Sequence, residues 1–178
     1  MAFRPSVPVS PMASTATSLA KWLRRDKVSS LRLRDVCRVS PRDPIEQVVR
    51  TMVGCRTGFA LVMDGANGGG GSSKLVGIFT ERDFVNRVVA AGVDVSLPVE
   101  RVMTAAPKVI RRTSTVHSAV EMMEAGGYRH LPVVGDDGLP VGVLSVKDVV
   151  RYLVEYFPAR VYNLPPTPEH TQPAREGA

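Results

Sequence analysis

Two short motifs each combine a hydroxyl group and an aspartate at the predicted start of a helix. Thr80 and Asp83 belong to GIFTERD, which ends an apolar run, and Ser145 and Asp148 occupy the same places in GVLSVKD. In one interpretation each motif only caps its helix, because the hydroxyl accepts from backbone N–H groups and the acid favours the positive end of the helix dipole. In the other, free N–H groups bind an anion and the aspartate accepts from a ribose diol. Capping is the commoner meaning of this pattern, so both interpretations stay open.

Two basic residues follow the first predicted helix in the half of the chain that contains Ser145 and Asp148. Arg129 and His130 stand in GYRHLPVV, and arginine binds phosphate through two parallel N–H groups at any relevant pH. We expect the pair to lie in the same cleft as Asp148. The corresponding residues of the first half, Gly58 and Phe59, are uncharged. The phosphate end of that cleft should therefore be weaker unless Arg56, Arg82 or Arg129 reaches across, and we expect unequal clefts. The alternative is a solvated turn in which His130 bonds to the backbone and binds nothing.

The sequence contains no recognised catalytic or metal-binding motif. A GxSxG elbow, HExxH, a Walker loop and a GxGxxG after a strand are all absent. Cys37 and Cys55 have neither a CxxC spacing nor an identified base, and the three histidines are scattered along the chain. We therefore expect no enzyme, no required cofactor, no metal site and reduced thiols. An enzyme that depends on Cys37 or Cys55 is the catalytic alternative.

The chain repeats itself. Each copy has an apolar helical face with the intervals i, i+3, i+4 and i+7. The first face is Ile45, Val48, Val49 and Met52, and the second, 71 residues later, is Val116, Ala119, Val120 and Met123. The two aspartate motifs are only 65 residues apart, because residues 64–74 of the first copy read DGANGGGGSSK where the second has a short turn. We predict a lengthened hairpin loop there.

Each copy therefore reads as a strand, a helix, two strands and a second helix. The predicted fold is α/β, with two βαββα repeats at residues 31–95 and 96–157 packed sheet to sheet about an approximate twofold axis. Opening strands are expected near residues 36–39 and 109–110. One copy of about 60 residues would leave a face exposed, and pairing two copies buries it.

Charge and composition separate this core from two arms. The 178 residues are 44% apolar and 22% charged, with a net charge of +6. Residues 1–34 hold seven bases and one acid, so the remainder is neutral. Residues 1–30 are predicted to be a disordered basic arm and residues 158–178, which contain five prolines, a disordered tail. The neutral core makes nucleic-acid binding unlikely, and no apolar run is long enough to span a membrane.

The stretch LAKWLRR at residues 19–25 is basic and amphipathic. It fits a membrane-surface helix or a mitochondrial transit peptide. The simpler alternative is a small helix that packs against the domain or a second subunit. We expect a cytoplasmic protein, or a mitochondrial one if the arm is a transit peptide in a eukaryotic source.

The leads LRDVC and VERVMT, the two aspartate motifs, GYRHLPVV and the repeat itself resemble a tandem pair of CBS domains (cystathionine-β-synthase-type), the Bateman module. The resemblance covers residues 31–157. It implies a regulatory module, not an enzyme, that binds an adenosine nucleotide such as AMP, ADP, ATP or S-adenosylmethionine in clefts between the repeats. It also implies a homodimer that forms through the helices.

The resemblance further assigns roles to residues. Asp83 and Asp148 would hold the ribose hydroxyls, Thr80 and Ser145 would lie near the phosphate, and Arg129 and His130 would bind it. The adenine would lie on apolar strand residues and on backbone across each cleft, with Ile78 and Thr57 at one cleft and Val143 and Tyr128 at the other.

Two functions follow from these expectations. The first is a stand-alone nucleotide sensor that signals occupancy to an unidentified regulated protein or to its own oligomer. The alternative is a ligand-free interaction module that recruits an anionic partner through its basic arm.

Overall fold

A computed structural model describes residues 21–65 and 74–156. The first repeat contains β1 (Arg38–Val39), α1 (Ile45–Gly54), β2 (Phe59–Asp64), β3 (Lys74–Thr80) and α2, which runs over Glu81–Asp83 and continues as the π-helical segment Phe84–Val89. The linker between the repeats, residues 90–109, adds the short strand β4 (Thr104–Ala105). The second repeat contains β5 (Ile110–Arg111), α3 (Val116–Gly126), β6 (His130–Val134), β7 (Pro140–Ser145) and α4 (Val146–Tyr156). The predicted βαββα repeats are confirmed.

The strands form two sheets, one for each repeat. The first has the order β1-β2-β3-β4 and the second β5-β6-β7. In both, the opening strand is parallel to the next strand, which then forms an antiparallel hairpin. The first hairpin closes with Asp64 opposite Lys74. Most of the inserted loop, residues 66–73, lies outside the described part of the chain.

The segment that precedes the opening strand of each repeat pairs with the other repeat, and we call these two segments the exchanged opening segments. The segment before β5 pairs with repeat 1, since Thr104 lies opposite Ile78 of β3. The segment before β1 pairs with repeat 2, since Arg34 lies opposite Val143 of β7. Two further bridges, Pro44 with Pro98 and Lys27 with Thr115, obey the same relation. This exchange links the repeats through backbone hydrogen bonds as well as side-chain packing.

Within residues 21–65 and 74–156, the buried apolar side chains form three clusters. One lies inside each repeat and contains the predicted faces of α1 and α3, with Ile45, Val48, Val116 and Ala119 all fully buried. The third lies between the sheets and consists of Phe59, Leu61, Met63, Ile78 and Val143. Full burial of each such side chain contributes roughly 1.5–3 kcal/mol. The sheet-to-sheet packing of the prediction is thus confirmed.

The prediction of a disordered arm over residues 1–30 is wrong for residues 21–30. Val28 is fully buried in the core of repeat 2, and its N–H donates to the carbonyl of Ser114 at 2.8 Å. The hydroxyl of Tyr152 donates to Asp26. A short 3-10 helix over Val28–Ser30 matches another over Val99–Arg101 in the linker. The simpler alternative for residues 19–25 agrees with the structure, since Leu23 packs against the core of repeat 2. The burial of Val28 had no local signature, because its partner Ser114 lies more than 80 residues away in the chain. Residues 1–20 and 157–178 lie outside the described residues.

Candidate functional site

The two aspartate motifs form the capping arrangement that their sequences predict. The Thr80 N–H and hydroxyl donate to Asp83 Oδ2 at 3.0 and 2.7 Å, and the Asp83 N–H donates to Thr80 Oγ1 at 3.3 Å. At the start of α4 the Ser145 N–H donates to Asp148 Oδ2 at 3.0 Å, and its hydroxyl donates to the same oxygen. Both hydroxyl protons are therefore used to hold a carboxylate. Thr80 and Ser145 position their aspartates and have no second O–H to offer a phosphate.

Capping leaves the other oxygen of each aspartate turned toward charged side chains. Asp83 Oδ1 lies 3.4 Å from Arg87 Nε, and Asp148 Oδ1 lies 3.8 Å from Arg151 Nη1. The carboxylates differ in exposure, since the side chain of Asp83 is 12% exposed and that of Asp148 is 3% exposed. Asp83 is thus the more accessible acceptor.

A groove of about 900 Å³ runs between the repeats and contains most of the predicted site residues. It is lined by Thr57, Ile78, Thr80, Asp83, Tyr128, Arg129, His130 and Ser145. The linker contributes Thr104 and the following residues up to Lys108, which were not predicted. Residues from both repeats and from the linker therefore face one shared space.

The structure places Arg129 and His130 in a different cleft from the Asp148 cleft that we expected. Arg129 and His130 lie in the groove that contains Asp83. Asp148 lies instead in two smaller cavities of about 330 Å³ each, which share Arg32 and Arg151 as lining residues. The start of α2 is joined to the loop before β6, because Arg82 Nη1 donates to the carbonyl of Gly127 at 3.4 Å. The alternative left open for the first cleft is the one that the structure has, because Arg129 reaches across to the groove of Asp83 together with Arg56 and Arg82.

His130 lies at the approximate twofold axis. Its ring packs on that of Phe59, its counterpart in the other repeat, with 5.1 Å between ring centroids. Burial and the charges of Arg129 and Arg34 lower the pKa of His130, while Glu81 and Asp148 oppose that shift. The lowered pKa favours the neutral imidazole, which can offer one N–H donor to an anion.

Of the four residues predicted to contact adenine, Ile78, Tyr128 and Thr57 line the groove and Val143 does not. Ile78 and Tyr128 line the groove, and the Tyr128 ring packs against Gly126, where a Cβ atom would lie 2.0 Å from it. The Thr57 hydroxyl is used within its own turn and donates to the carbonyl of Phe59 at 2.8 Å. Val143 is fully buried between the sheets, so the expectation that its side chain faces a ligand is not met.

The cysteines lie close together at the edge of repeat 1. Cys37 is buried, and burial together with the neighbouring Cys55 thiol raises its pKa to about 12. A protonated thiol is a poor nucleophile, which weighs against catalysis by Cys37. Among the described residues no group of histidine, cysteine or acidic side chains has a metal-binding arrangement. None of the described helices has the length and apolar character that crossing a bilayer requires.

Arg34 is the functional candidate that the sequence analysis missed. Its Nε lies 3.2 Å from Asp148 Oδ2, although 114 residues separate the two in the chain. The exchanged opening segment brings it there. The backbone pairing makes Arg34 equivalent to Thr104, since Arg34 lies opposite Val143 and Thr104 lies opposite the matching Ile78. The sequence carried no signal for this equivalence, because the 71-residue offset between the repeats places Arg34 opposite Ala105.

Comparison with known proteins agrees with this architecture. A 17.7 kDa protein of Acidianus ambivalens is 33% identical over 129 residues, which cover 72% of this chain and 74% of that protein. The mitochondrial CBS domain-containing protein CBSX3 of Arabidopsis thaliana is 32% identical over 115 residues, 63% of this chain and 53% of that protein. Against two further Arabidopsis relatives the chain spans only 20% of their length.

A solved structure has the same fold. The CBS domain protein PAE2072 of Pyrobaculum aerophilum, solved in complex with AMP, is 27% identical with a TM-score of 0.63, covering 75% of this chain and 98% of that one. The sequence profile of the CBS domain matches residues 28–90 and 99–155, one match in each repeat. The chain therefore belongs to the CBS domain family and carries two CBS domains arranged as a Bateman module.

Proposed function

We propose that this chain is a regulatory CBS-pair protein that binds an adenosine nucleotide between its repeats. The observation that carries the proposal is the groove, in which a capped aspartate faces cationic side chains of the other repeat. The carboxylate would accept from the ribose diol, Arg129 and His130 would bind phosphate, and Ile78 and Tyr128 would contact the base. AMP in the related Pyrobaculum aerophilum structure supports this ligand class.

The signal would arise from a shift in population. A ligand that contacts both repeats stabilises the arrangement in which its acceptor and its cations converge, and it can shift the equilibrium only by its difference in affinity between the two arrangements. The exchanged strands couple the repeats, so a change at the groove would reach both sheets. A partner protein or a second copy of the chain would then read the change.

Thermal unfolding with AMP, ADP, ATP or S-adenosylmethionine tests this function. A nucleotide at about 100 times its Kd should stabilise the native state by about 2.7 kcal/mol. The double variant Asp83→Ala/Asp148→Ala should lose this rise, whereas Asp136→Ala, which removes an exposed carboxylate in the β6–β7 turn, should keep it. An unchanged midpoint with every nucleotide would exclude the sensor.

We also propose a homodimer formed through α2 and α4. Val85 and Val89 on α2 are 56% and 62% exposed, and Val146 and Val150 on α4 are 41% and 49% exposed. Val85 and Val150 hold the same position in the two repeats, so the apolar surface recurs on both sides of the molecule. Light scattering should give twice the chain mass, and Val85→Glu with Val150→Glu should give the single mass. A monomeric parent protein would contradict the proposal.

A second candidate function, recruitment of an anionic partner, is favoured by the basic helical turn at residues 21–25. Lys21, Arg24 and Arg25 are exposed there, while Leu23 packs against the core of repeat 2. Replacement of the three bases by alanine should abolish capture of such a partner and leave nucleotide stabilisation intact. Capture that survives this change would eliminate the second function.

The cellular compartment belongs to the same proposal. We propose a cytoplasmic location, with mitochondria as the alternative that the name of the CBSX3 relative suggests. Imaging of a C-terminal fluorescent fusion in the source cells distinguishes the two.

A further inference from the structure

The approximate twofold axis relates a first cleft, which contains Asp83, to a second cleft, which contains Asp148. Residues that the axis relates can therefore be compared between the two clefts. In repeat 2, the Arg34 N–H donates to the Val143 carbonyl at 3.0 Å and the Val143 N–H donates back at 3.1 Å. In repeat 1, Thr104 lies opposite Ile78 in the same way. Arg34 and Thr104 therefore stand at equivalent points, each on the strand that borders one aspartate motif.

At the second cleft this position carries a cation that reaches the aspartate. Arg34 Nε lies 3.2 Å from Asp148 Oδ2, and the same oxygen accepts from the N–H and hydroxyl of Ser145. Arg151 lies 3.8 Å from the other oxygen. Oδ2 of Asp148 thus accepts three hydrogen bonds, one of them from a base that the backbone bonds to Val143 hold in place.

At the first cleft the equivalent residue cannot form such a contact. Thr104 is short and uncharged, and the ion pair of Asp83 in the described structure is with Arg87 of its own helix. Arg87 is in turn held by the carbonyls of Val102 and Met103, to which it donates at 3.0 and 2.9 Å. Asp83 borders the groove of about 900 Å³, which Arg34 also lines, whereas Asp148 borders two smaller cavities.

We propose that Arg34 is the residue that decides which cleft binds nucleotide. It occupies Asp148, so that each chain binds one nucleotide and does so at Asp83. The inference rests on the proposed nucleotide-binding function and adds to it the number of sites, the cleft used and the residue responsible. A ribose diol would have to displace the Arg34 guanidinium from a nearly buried carboxylate to enter the second cleft.

The test is a reciprocal exchange of the two equivalent residues, read by calorimetric titration of the full chain with AMP and then with ADP, ATP and S-adenosylmethionine. The parent protein should bind one nucleotide per chain. Arg34→Thr should raise the number to two, and Thr104→Arg should lower it to none by forming the same ion pair with Asp83. The double exchange should bind one, now lost on Asp148→Asn and retained on Asp83→Asn.

Two controls distinguish the loss or gain of a nucleotide site from misfolding of the variant. Arg24→Thr makes the same change of residue type at an exposed base outside the groove and should still bind one nucleotide. Circular dichroism and the unfolding midpoint should show that Arg34→Thr and Thr104→Arg are folded.

Three results would overturn the inference while leaving the proposed function standing. They are two sites in the parent protein, a single parent site that depends on Asp148 and not on Asp83, and a folded Arg34→Thr protein that still binds one nucleotide. If neither the parent protein nor any variant binds any of the four nucleotides, the proposed function fails and the inference fails with it.

Discussion

The pKa of His130 depends on charged groups at both clefts. It packs on Phe59 at the axis between the repeats, and charged groups reach it from several elements: Arg129 beside it, Arg34 on the exchanged strand, Glu81 on α2 and Asp148 on α4. Burial is the largest cause of its lowered pKa. The folded protein therefore prefers the neutral ring.

The lowered pKa predicts a dependence of stability on pH. Between the folded pKa and the ordinary value of 6.5, the unfolded chain binds more protons at His130 than the folded chain does. The free energy of unfolding should therefore fall as the pH is lowered below about 6.5. Urea unfolding between about pH 5 and 7.5 measures this slope. His130→Gln should flatten it. An equal slope in the parent protein and in His130→Gln would contradict this prediction.

The exchanged opening segments explain why residues 77 and 142 are glycines. They cross β3 and β7 at Gly77 and Gly142, where no side chain separates the strands. A Cβ atom on Gly77 would lie 2.3 Å from Met103 Sδ, and one on Gly142 would lie 2.8 Å from Leu33 Cβ. The thioether of Met103 can turn aside, but the Cβ atom of Leu33 is tied to its backbone. The two equivalent positions should therefore tolerate a methyl group unequally.

Alanine substitution tests this difference between the strands. Gly142→Ala should lower the free energy of unfolding by about 1–3 kcal/mol because the segment carrying Leu33 must move. Gly77→Ala should cost less, since Met103 can adopt another rotamer. Urea denaturation of both variants gives the comparison. Gly54→Ala serves as the matched control, because a Cβ atom there meets nothing within 4 Å; a larger loss for Gly77→Ala than for Gly142→Ala would refute the account.

At the scale of the whole molecule, the positive charge is more than a property of the N-terminal arm. The groove is lined by seven bases and two acids, Glu81 and Asp83. The bases are Arg34, Arg56, Arg82, Arg87, Lys108, Arg129 and Lys147. They come from both repeats and the linker, so the neutral overall balance of the core conceals a local excess.

This charge predicts which adenosine nucleotide binds best. Affinity should rise from AMP to ADP to ATP and should fall with added salt, because each phosphate adds negative charge among partly exposed cations. Arg129→Ala should weaken ATP binding by roughly 10-fold or more, as expected for loss of a hydrogen bond to a charged group. Titrations at two salt concentrations measure both effects, with Arg24→Ala outside the groove as the control. Equal affinity for AMP and ATP would contradict this prediction.

The features that depend on local spacing could be predicted from the amino-acid sequence. The apolar intervals in α1 and α3, the capped motifs at Thr80 and Ser145 and the two-copy order of elements all follow from residues within a few turns of one another. Such features are fixed by backbone geometry and by which face must be buried. The family resemblance rests on the same local motifs, and it was therefore visible before the fold.

The way in which the two repeats share their clefts depends on long-range contacts that the sequence did not predict. The ordering of residues 21–30, the strand exchange, the placement of Arg129 with Asp83 and the Arg34–Asp148 ion pair all join residues far apart in the chain. Val143 turned inward for the same reason, because packing between the sheets determines which strand residues remain accessible. Such contacts have no local signature, since they depend on where two sheets meet and on which segment crosses between them.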